Sequence, residues 1–258
     1  MRFVNAYWVA LTGWLEDSEA LAEQYRVEDN LRHRVLAHKE LLDGPNDEEI
    51  VKSRVLAVRP SRLLDVGSGL GIFSAWAKEN VLEAEIVAVD SSERMVELAV
   101  GLGVDALRSD IRHLPFPDAD FDCVVANFVL YHVAEAAQAI AELARVLRSN
   151  GILVASTVSD DTDSRRHAWA TLFDEEPMPA GPPLSFSREN GSKLLRRRFG
   201  NVEQIDCDAA LVFESRDQLV GYVESLPPMR GLGSKVPDLA DPFRLPTKTT
   251  VFVASEPR

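Results

Sequence analysis

The sequence predicts an α/β fold with a doubly wound, mostly parallel sheet, and three observations support this. The run Arg62–Val66, the glycines that follow it and the apolar stretch from Ile72 are typical of a strand, a tight turn and a helix. Strand-like and helical segments then alternate as far as Val158. The segment Phe121–Asn127 is almost wholly apolar, as expected of a central parallel strand that is covered on both faces.

The other predicted elements follow from apolar periodicity and turn residues. Residues 16–58 are predicted to be helical, with a break at 44–46 and a second helix that Asp47 caps and that runs through Val58. Helices are also predicted over 135–147, ended by an Asn150-Gly151 cap, and over 187–199 and 217–226. Residues 227–246 are predicted to be irregular. The further predicted strands are Glu85–Asp90, 105–110, Phe121–Asn127, 151–158, 202–213 and 249–254.

The amino-acid composition limits the function classes. A chain of 258 residues can bury one sizeable core, and a formal net charge of −13 argues against a nucleic-acid partner. The two cysteines, Cys123 and Cys207, lie in apolar strand-like runs and form neither a disulfide framework nor a metal-ligand spacing. We therefore expect a protein of the reducing cytoplasm that needs no metal.

The first 15 residues are fairly apolar. They are too short to span a bilayer and lack a clear cleavage site, so no membrane association is expected. We interpret them as a helix whose large apolar side chains either pack in the core or cover a ligand site: Phe3, Tyr7, Trp8, Leu11 and Trp14.

The glycine spacing after the first sheet strand indicates the kind of ligand. Glycines let the backbone approach a ligand closely, and the helix that follows offers unpaired N–H groups. A dinucleotide fingerprint would place its third glycine at position 72, which is Ile72. Asp65, two residues ahead of Gly67, suits a ligand that carries an ammonium group better than a pyrophosphate.

The segment Asp65-Val66-Gly67-Ser68-Gly69-Leu70-Gly71 resembles the first motif of class I S-adenosylmethionine-dependent methyltransferases, and 142–153 resembles the region after their fourth motif. The resemblance implies a Rossmann-like, seven-stranded sheet of order 3-2-1-4-5-7-6, with the last strand antiparallel between strands five and six. It also implies a single methyltransferase domain over 1–258. This domain would comprise an N-terminal helical cover (1–58), a cofactor-binding core (60–158) and inserted lid segments that cover the substrate (159–187 and 215–247).

Further cofactor contacts are expected beyond the glycine turn. A carboxylate at the end of the second strand, Asp90, can accept both hydroxyls of a ribose. Asp110-Ile111-Arg112 resembles the family's third motif, in which the carboxylate receives the adenine amine; the alternative is an ordinary turn cap. Tyr25 to His38 is similar to a segment that folds over the cofactor in some small-molecule methyltransferases; the alternative is plain helix surface. The predicted cofactor-binding residues are Tyr25, Arg34, Asp65, Gly67, Ser68, Gly69, Gly71, Asp90, Ser91, Met95, Asp110, Ile111, Arg112, Asn127, Phe128 and Tyr131.

Four side chains stand at the carboxyl end of the central strand, where ligands of open α/β sheets bind: Asn127, Phe128, Tyr131 and His132. If the acceptor must lose a proton, His132 is the first choice of general base and His38 the second. A structural role is the alternative for either histidine.

The resemblance implies methyl transfer from S-adenosylmethionine, giving S-adenosylhomocysteine, to an oxygen, nitrogen or carbon of a small metabolite or natural product. Three alternatives stay open: a non-catalytic binding or scaffold protein, a protein methyltransferase and an NAD-dependent oxidoreductase. The last is disfavoured by Asp65 and Ile72. The sequence decides neither the acceptor nor whether the protein is a monomer or a homodimer.

Overall fold

A computed structural model describes residues 28–177, 179–226 and 229–258. Its α-helices are α1 (Glu28–Leu41), α2 (Asp47–Val58), α3 (Ile72–Asn80), α4 (Glu93–Gly101), α5 (Ala136–Val146), α6 (Asp163–Phe173), α7 (Gly191–Leu195) and α8 (Arg216–Ser225). Its strands are β1 (Leu42–Asp43), β2 (Arg62–Val66), β3 (Glu85–Asp90), β4 (Asp105–Arg108), β5 (Phe121–Asn127), β6 (Leu147–Val158), β7 (Phe199–Phe213) and β8 (Phe243–Pro257). Short 3₁₀ helices cover Leu130–His132 and Gly233–Lys235.

The strands form one mixed sheet in the order β1-β7-β8-β6-β5-β2-β3-β4. The predicted strands are β2 to β8, and β8 pairs antiparallel with β6 and lies between β6 and β7, as expected. The sheet differs from the predicted seven-stranded sheet because it has an eighth strand at one edge. The additional strand, β1, adds to the edge by pairing with Ala210 and Leu211 of β7, where the sequence predicted helix for Leu42.

The described residues fold as two compact units. The larger unit comprises residues 47–159, 184–206 and 249–258. The smaller unit comprises the described residues up to 46, together with 160–183 and 207–248. The smaller unit has its own apolar core, in which α6, α8 and the distal part of β7 contribute Trp169, Tyr222 and Phe213.

Both faces of the parallel strands β2, β3 and β5 are buried in the larger unit, which explains their apolar sequences. Along β2, Leu64 faces a core that includes Leu143 of α5, whereas Leu63 faces a core that includes Val55 of α2 and Ala77 of α3. The central strand β5 has four consecutive buried residues, 123–126, as the sequence predicted. Helices thus cover both faces of these strands, and the turns that could contact a ligand lie at the ends of the strands.

Several predicted boundaries were wrong. Strand β4 ends at Arg108 rather than at Asp110, and α7 covers only Gly191–Leu195 of the predicted helix 187–199. Asn150-Gly151 does not cap α5, because the chain enters β6 at Leu147. A Cβ at Gly151 would lie 3.0 Å from the carbonyl oxygen of Asp122, so this glycine serves a bulge between β5 and β6.

The sequence predicted that residues 243–246 are irregular, but they belong to β8. The predicted N-terminal helix with Phe3, Tyr7, Trp8, Leu11 and Trp14 lies outside the described residues. Among the described helices, none has both the length and the apolarity needed to cross a membrane.

Replacing Asp122 with alanine should lower the free energy of unfolding at pH 7 by about 1–3 kcal/mol. Its carboxylate accepts hydrogen bonds from the backbone N–H of Ser61 (3.0 Å) and Arg62 (3.0 Å), from the Ser61 hydroxyl (2.5 Å) and from Arg148 (2.6 Å). Desolvation alone would raise the pKa of Asp122, but these donors outweigh it and hold the pKa below its usual value.

The lowered pKa fixes the sign of the pH dependence. The stabilisation by ionised Asp122 is complete above the unfolded-state pKa of about 4 and is lost as the pH falls through the folded-state value. Urea unfolding of the parent and Asp122→Ala proteins should therefore show a constant difference between about pH 6 and 8 that shrinks below about pH 4. A difference that does not change with pH would show that the carboxylate charge is not responsible.

Candidate functional site

The chain leaves β2 through a turn that contains three glycines with positive φ. These angles are 69° at Gly67, 52° at Gly69 and 72° at Gly71. The N–H groups of Gly67 and Ser68 both donate to the carbonyl oxygen of Val89, at 2.8 and 3.1 Å, which ties the turn to the end of β3. The turn is thus fixed by the neighbouring strand before α3 begins.

Two of these glycines are also required by close packing. A Cβ at Gly67 would lie 2.4 Å from Cγ2 of Val129, in the segment after β5. A Cβ at Gly71 would lie 2.8 Å from Cα of Ala99, in α4. The turn therefore packs directly against the segment that follows the central strand.

Asp90, at the end of β3, is hydrogen-bonded to the same turn. Its carboxylate accepts from the N–H of Gly69 (2.9 Å) and from that of Ser92 (2.9 Å). Desolvation raises the pKa of Asp90, and the N–H groups of Ser92, Gly69 and Ser91 oppose the rise. Ser92 also caps α4 by accepting from the N–H of Met95, whose side chain is buried. The glycine turn and the predicted ribose acceptor thus form one hydrogen-bonded unit.

Asp65 lies in β2, two residues before this turn, and is buried. The hydroxyl of Ser74, which is also buried in α3, donates to Asp65 Oδ2 at 2.5 Å. Desolvation raises the pKa of Asp65 to about 7; the hydrogen bond from Ser74 lowers it, and the charge of Asp90 raises it.

Asp110, Ile111 and Arg112 lie in a turn after β4. The Arg112 guanidinium binds the Asp110 carboxylate through Nε (3.1 Å) and Nη2 (2.7 Å) and reaches Glu135 at 2.6 Å. The hydrogen bond from Arg112 lowers the pKa of Asp110 and keeps its carboxylate ionised. The guanidinium of Arg112 therefore binds two carboxylates, and the side chain of Ile111, the residue between Asp110 and Arg112 in the sequence, is buried.

The segment after β5 carries the remaining candidates of the larger unit. Asn127 accepts a hydrogen bond from the Ser156 hydroxyl at 3.1 Å, and Phe128 has a φ of 50°, which is rare for a residue with a side chain. The rings of Tyr131 and His132 lie 4.3 Å apart on the 3₁₀ helix. A left-handed residue at the end of the central strand turns the chain sharply, and such backbone strain is common at functional sites.

The two other described candidates, Arg34 and His38, belong to α1 in the smaller unit. Arg34 donates to the carbonyl oxygen of Ser225 at 2.6 Å, and Nδ1 of His38 lies 3.1 Å from the carbonyl oxygen of Arg34. Burial lowers the pKa of His38, and the charges of Arg165 and Arg34 add to this effect. Tyr25 lies outside the described residues.

Sequence reasoning missed Ser74, Ser156 and Glu135, each of which contacts a predicted site residue. Ser74 had a signal, because it is a polar residue within the apolar stretch 72–77. Its pairing with Asp65 joins two elements and could not be derived from the spacing.

The residues of the turn fit a nucleoside-type ligand. The Ser68 hydroxyl is buried and has no hydrogen-bond partner among the residues that the structure describes. It is therefore available to form a hydrogen bond with a polar group of a ligand. Asp90 offers acceptors for a ribose, and the start of α3 offers unpaired N–H groups. The fold and the turn together define a Rossmann-like domain with a candidate site for a nucleoside-type ligand.

Comparisons with known proteins agree with this description. Residues 64–155 match the family model described as "Methyltransferase domain". A demethylmenaquinone methyltransferase of Deinococcus radiodurans is 37% identical over 108 residues, which are 40% of this chain and 45% of that protein. A malonyl-[acyl-carrier protein] O-methyltransferase of Enterobacter lignolyticus is 32% identical over 132 residues, which are 50% of this chain and 51% of that protein. The chain thus spans about half the length of these relatives.

One solved structure shows the same fold over most of the chain. It is an S-adenosylmethionine-dependent methyltransferase of Thermotoga maritima, described as a possible histamine N-methyltransferase, with a TM-score of 0.53 and 19% identity. The likeness covers 90% of this chain and 97% of that one. Residues 64–155 are therefore similar to methyltransferase domains, which agrees with the resemblance that the first motif indicated.

Proposed function

We propose that the protein transfers the methyl group of S-adenosylmethionine to an oxygen, nitrogen or carbon of a small-molecule acceptor. The main support is the hydrogen-bonded unit of the glycine turn and Asp90, within the region that matches the methyltransferase domain. The acceptors in the names of the two curated relatives, demethylmenaquinone and malonyl-[acyl-carrier protein], favour an acceptor that is a metabolite or a carrier-bound metabolite. The net charge of −13 further disfavours nucleic acid.

The residues of the turn hold the cofactor in this proposal. Asp90 accepts the ribose hydroxyls, and the Ser68 hydroxyl bonds a polar group of the ligand. Asp110, oriented and kept ionised by Arg112, would hold the adenine amine together with the backbone of Ile111. Asp65 provides negative charge beneath the turn for the ligand's ammonium group.

When bound, the cofactor supplies an activated methyl group on a sulfonium. The protein has to align the acceptor with that methyl group and exclude water, and alignment alone contributes on the order of 7–11 kcal/mol. Asn127, Phe128 and Tyr131 are the proposed contacts near the methyl group. Nothing in this scheme requires a covalent enzyme intermediate.

His132 is the proposed general base for an acceptor that must lose a proton. Its 3₁₀ helix follows the central strand directly, at the edge where ligands of open α/β sheets bind. The hydroxyl of Ser185 donates to the carbonyl oxygens of Leu130 (3.4 Å) and Tyr131 (3.3 Å) and so helps to fix this helix. His38 remains the second proposed base, and the cytoplasm remains the proposed location.

The expected result of a first binding experiment is micromolar or tighter affinity for S-adenosylhomocysteine, measured by titration calorimetry. S-adenosylmethionine should compete with it, and NAD should give no heat. A folded protein that binds neither S-adenosyl compound would contradict the proposal. A protein that binds both but methylates none of a panel of hydroxylated, amino and quinone-like acceptors would favour the non-catalytic alternative.

A further inference from the structure

Asp65 and Ser74 form a buried hydrogen-bonded pair next to the glycine turn. Asp65 is 2% exposed and Ser74 is wholly buried. The 2.5 Å contact joins the end of β2 to the first turn of α3, so it links the two elements that flank the turn. A buried carboxylate is costly unless it is paired, and here the donor is a neutral hydroxyl rather than a cation.

The surroundings of Asp65 contain a second acid. Asp90, at the end of the adjacent strand β3, repels the charge of Asp65. On the other adjacent strand, β5, burial raises the pKa of the Cys123 thiol and keeps it neutral. Burial brings the pKa of Asp65 to about 7, and Ser74 opposes the rise. We therefore expect both the protonated and the ionised form of Asp65 in the free protein near neutral pH.

We propose that Ser74 is a positioning residue that favours the charged form of Asp65, so that binding of an S-adenosyl ligand through its ammonium group is coupled to release of a proton. This inference rests on the proposed function. The proton passes from the Asp65 carboxyl to the solvent, and the carboxylate that remains is paired electrostatically with the ligand's ammonium group. No bond of the ligand changes.

The coupling has a definite sign. The ligand prefers ionised Asp65, so its affinity falls as the pH falls below about 7, by at most tenfold per pH unit, and is constant above about pH 8. Removing the Ser74 hydroxyl raises the pKa of Asp65 further, because the carboxylate loses its donor. The fall in affinity then begins at a higher pH.

The test is titration calorimetry of S-adenosylhomocysteine in phosphate and in Tris at equal pH, from pH 6 to 8.5. The difference in heat between the buffers gives the number of protons released. The control ligand is 5′-methylthioadenosine, which has the same nucleoside but no ammonium group. We expect the parent protein to release about half a proton near pH 7 with S-adenosylhomocysteine and much less with the control ligand.

Three variants test the role of the hydroxyl. Asp65→Asn should abolish the proton release. Ser74→Ala should bind several-fold more weakly at pH 6.5 and regain affinity by pH 8.5, whereas Ser74→Thr, which keeps the hydroxyl, should retain more of the parent profile. A purely structural role for Ser74 would weaken binding equally at every pH.

Three results would overturn the proposal. The first is binding by the parent protein without proton release, and the second is equal proton release with both ligands, which would assign the proton to Asp90. The third is an affinity of Ser74→Ala that does not recover at high pH. The comparison of the two ligands uses the parent protein and stays decisive even if a variant fails to fold. Failure of the proposed function gives a different result, namely no binding of either ligand at any pH.

Discussion

Replacing Asp90 with alanine should weaken the binding of S-adenosylhomocysteine by about 100-fold or more, because hydrogen bonds to a charged acceptor contribute about 1.5–3 kcal/mol each and two ribose hydroxyls would lose theirs. The variant also frees the N–H of Gly69, which Asp90 fixes at 2.9 Å, so the turn loses one of its anchors. Titration calorimetry at pH 8, where Asp65 is mostly ionised, separates this effect from the proton coupling described above.

Asp105→Ala is the matched control for this measurement. Asp105 is an exposed aspartate at the start of β4, next to β3, so the same substitution there should change the affinity less than twofold. Asp90→Asn should fall between the parent and Asp90→Ala, since the amide keeps one acceptor oxygen. Parent-like binding by Asp90→Ala would remove Asp90 from the ribose site, although it would leave the fold assignment intact.

The elements predicted most accurately from the sequence are those whose signals are local. Strands β3 and β5 and helix α2 have the predicted bounds, Glu85–Asp90, Phe121–Asn127 and Asp47–Val58. The two strands are continuous apolar runs bounded by polar turns, and the helix begins at an aspartate after a Gly-Pro-Asn break. Sheets of this kind are predictable because each buried parallel strand must be apolar on both faces.

The errors came from elements that depend on distant pairing. Asn150-Gly151 has the composition of a helix cap, but Leu147 pairs with Phe121 and brings the chain into the sheet before the glycine is reached. Strand β1 exists because Leu42 pairs with Leu211, which lies far along the chain in β7. Local propensity contains no information about such partners.

The same distinction applies to the candidate site. The glycines of the turn and Asp90 could be predicted because spacing along the chain places them at adjacent strand ends. The ion pair between Arg112 and Glu135 could not be predicted, because it joins a turn after β4 to the residue that precedes α5. The residues that would contact the methyl acceptor were the hardest to predict, because the segments assigned to the acceptor match the family only loosely.

Replacing Gly71 with alanine should lower the free energy of unfolding by about 2–5 kcal/mol and abolish binding of S-adenosylhomocysteine. Its φ of 72° is left-handed and costs a residue with a Cβ roughly 1–2 kcal/mol. The added Cβ would also lie 2.8 Å from both Cα and Cβ of Ala99, and a helix backbone atom cannot yield as a flexible side chain can. Overpacking of this kind typically adds about 1–3 kcal/mol. Urea unfolding followed by circular dichroism measures the loss.

Gly101→Ala provides the control within the adjacent helix. Gly101 is the last residue of α4, and a Cβ there would meet nothing within 4 Å, so alanine should be neutral or should stabilise the protein by up to about 1 kcal/mol. Stability and binding should fall together in Gly71→Ala, because the packing of the turn on α4 is what shapes the ligand site. Loss of binding with parent-like stability would instead show that this glycine is needed for close approach of the ligand, while parent-like values of both would contradict the geometry of the turn.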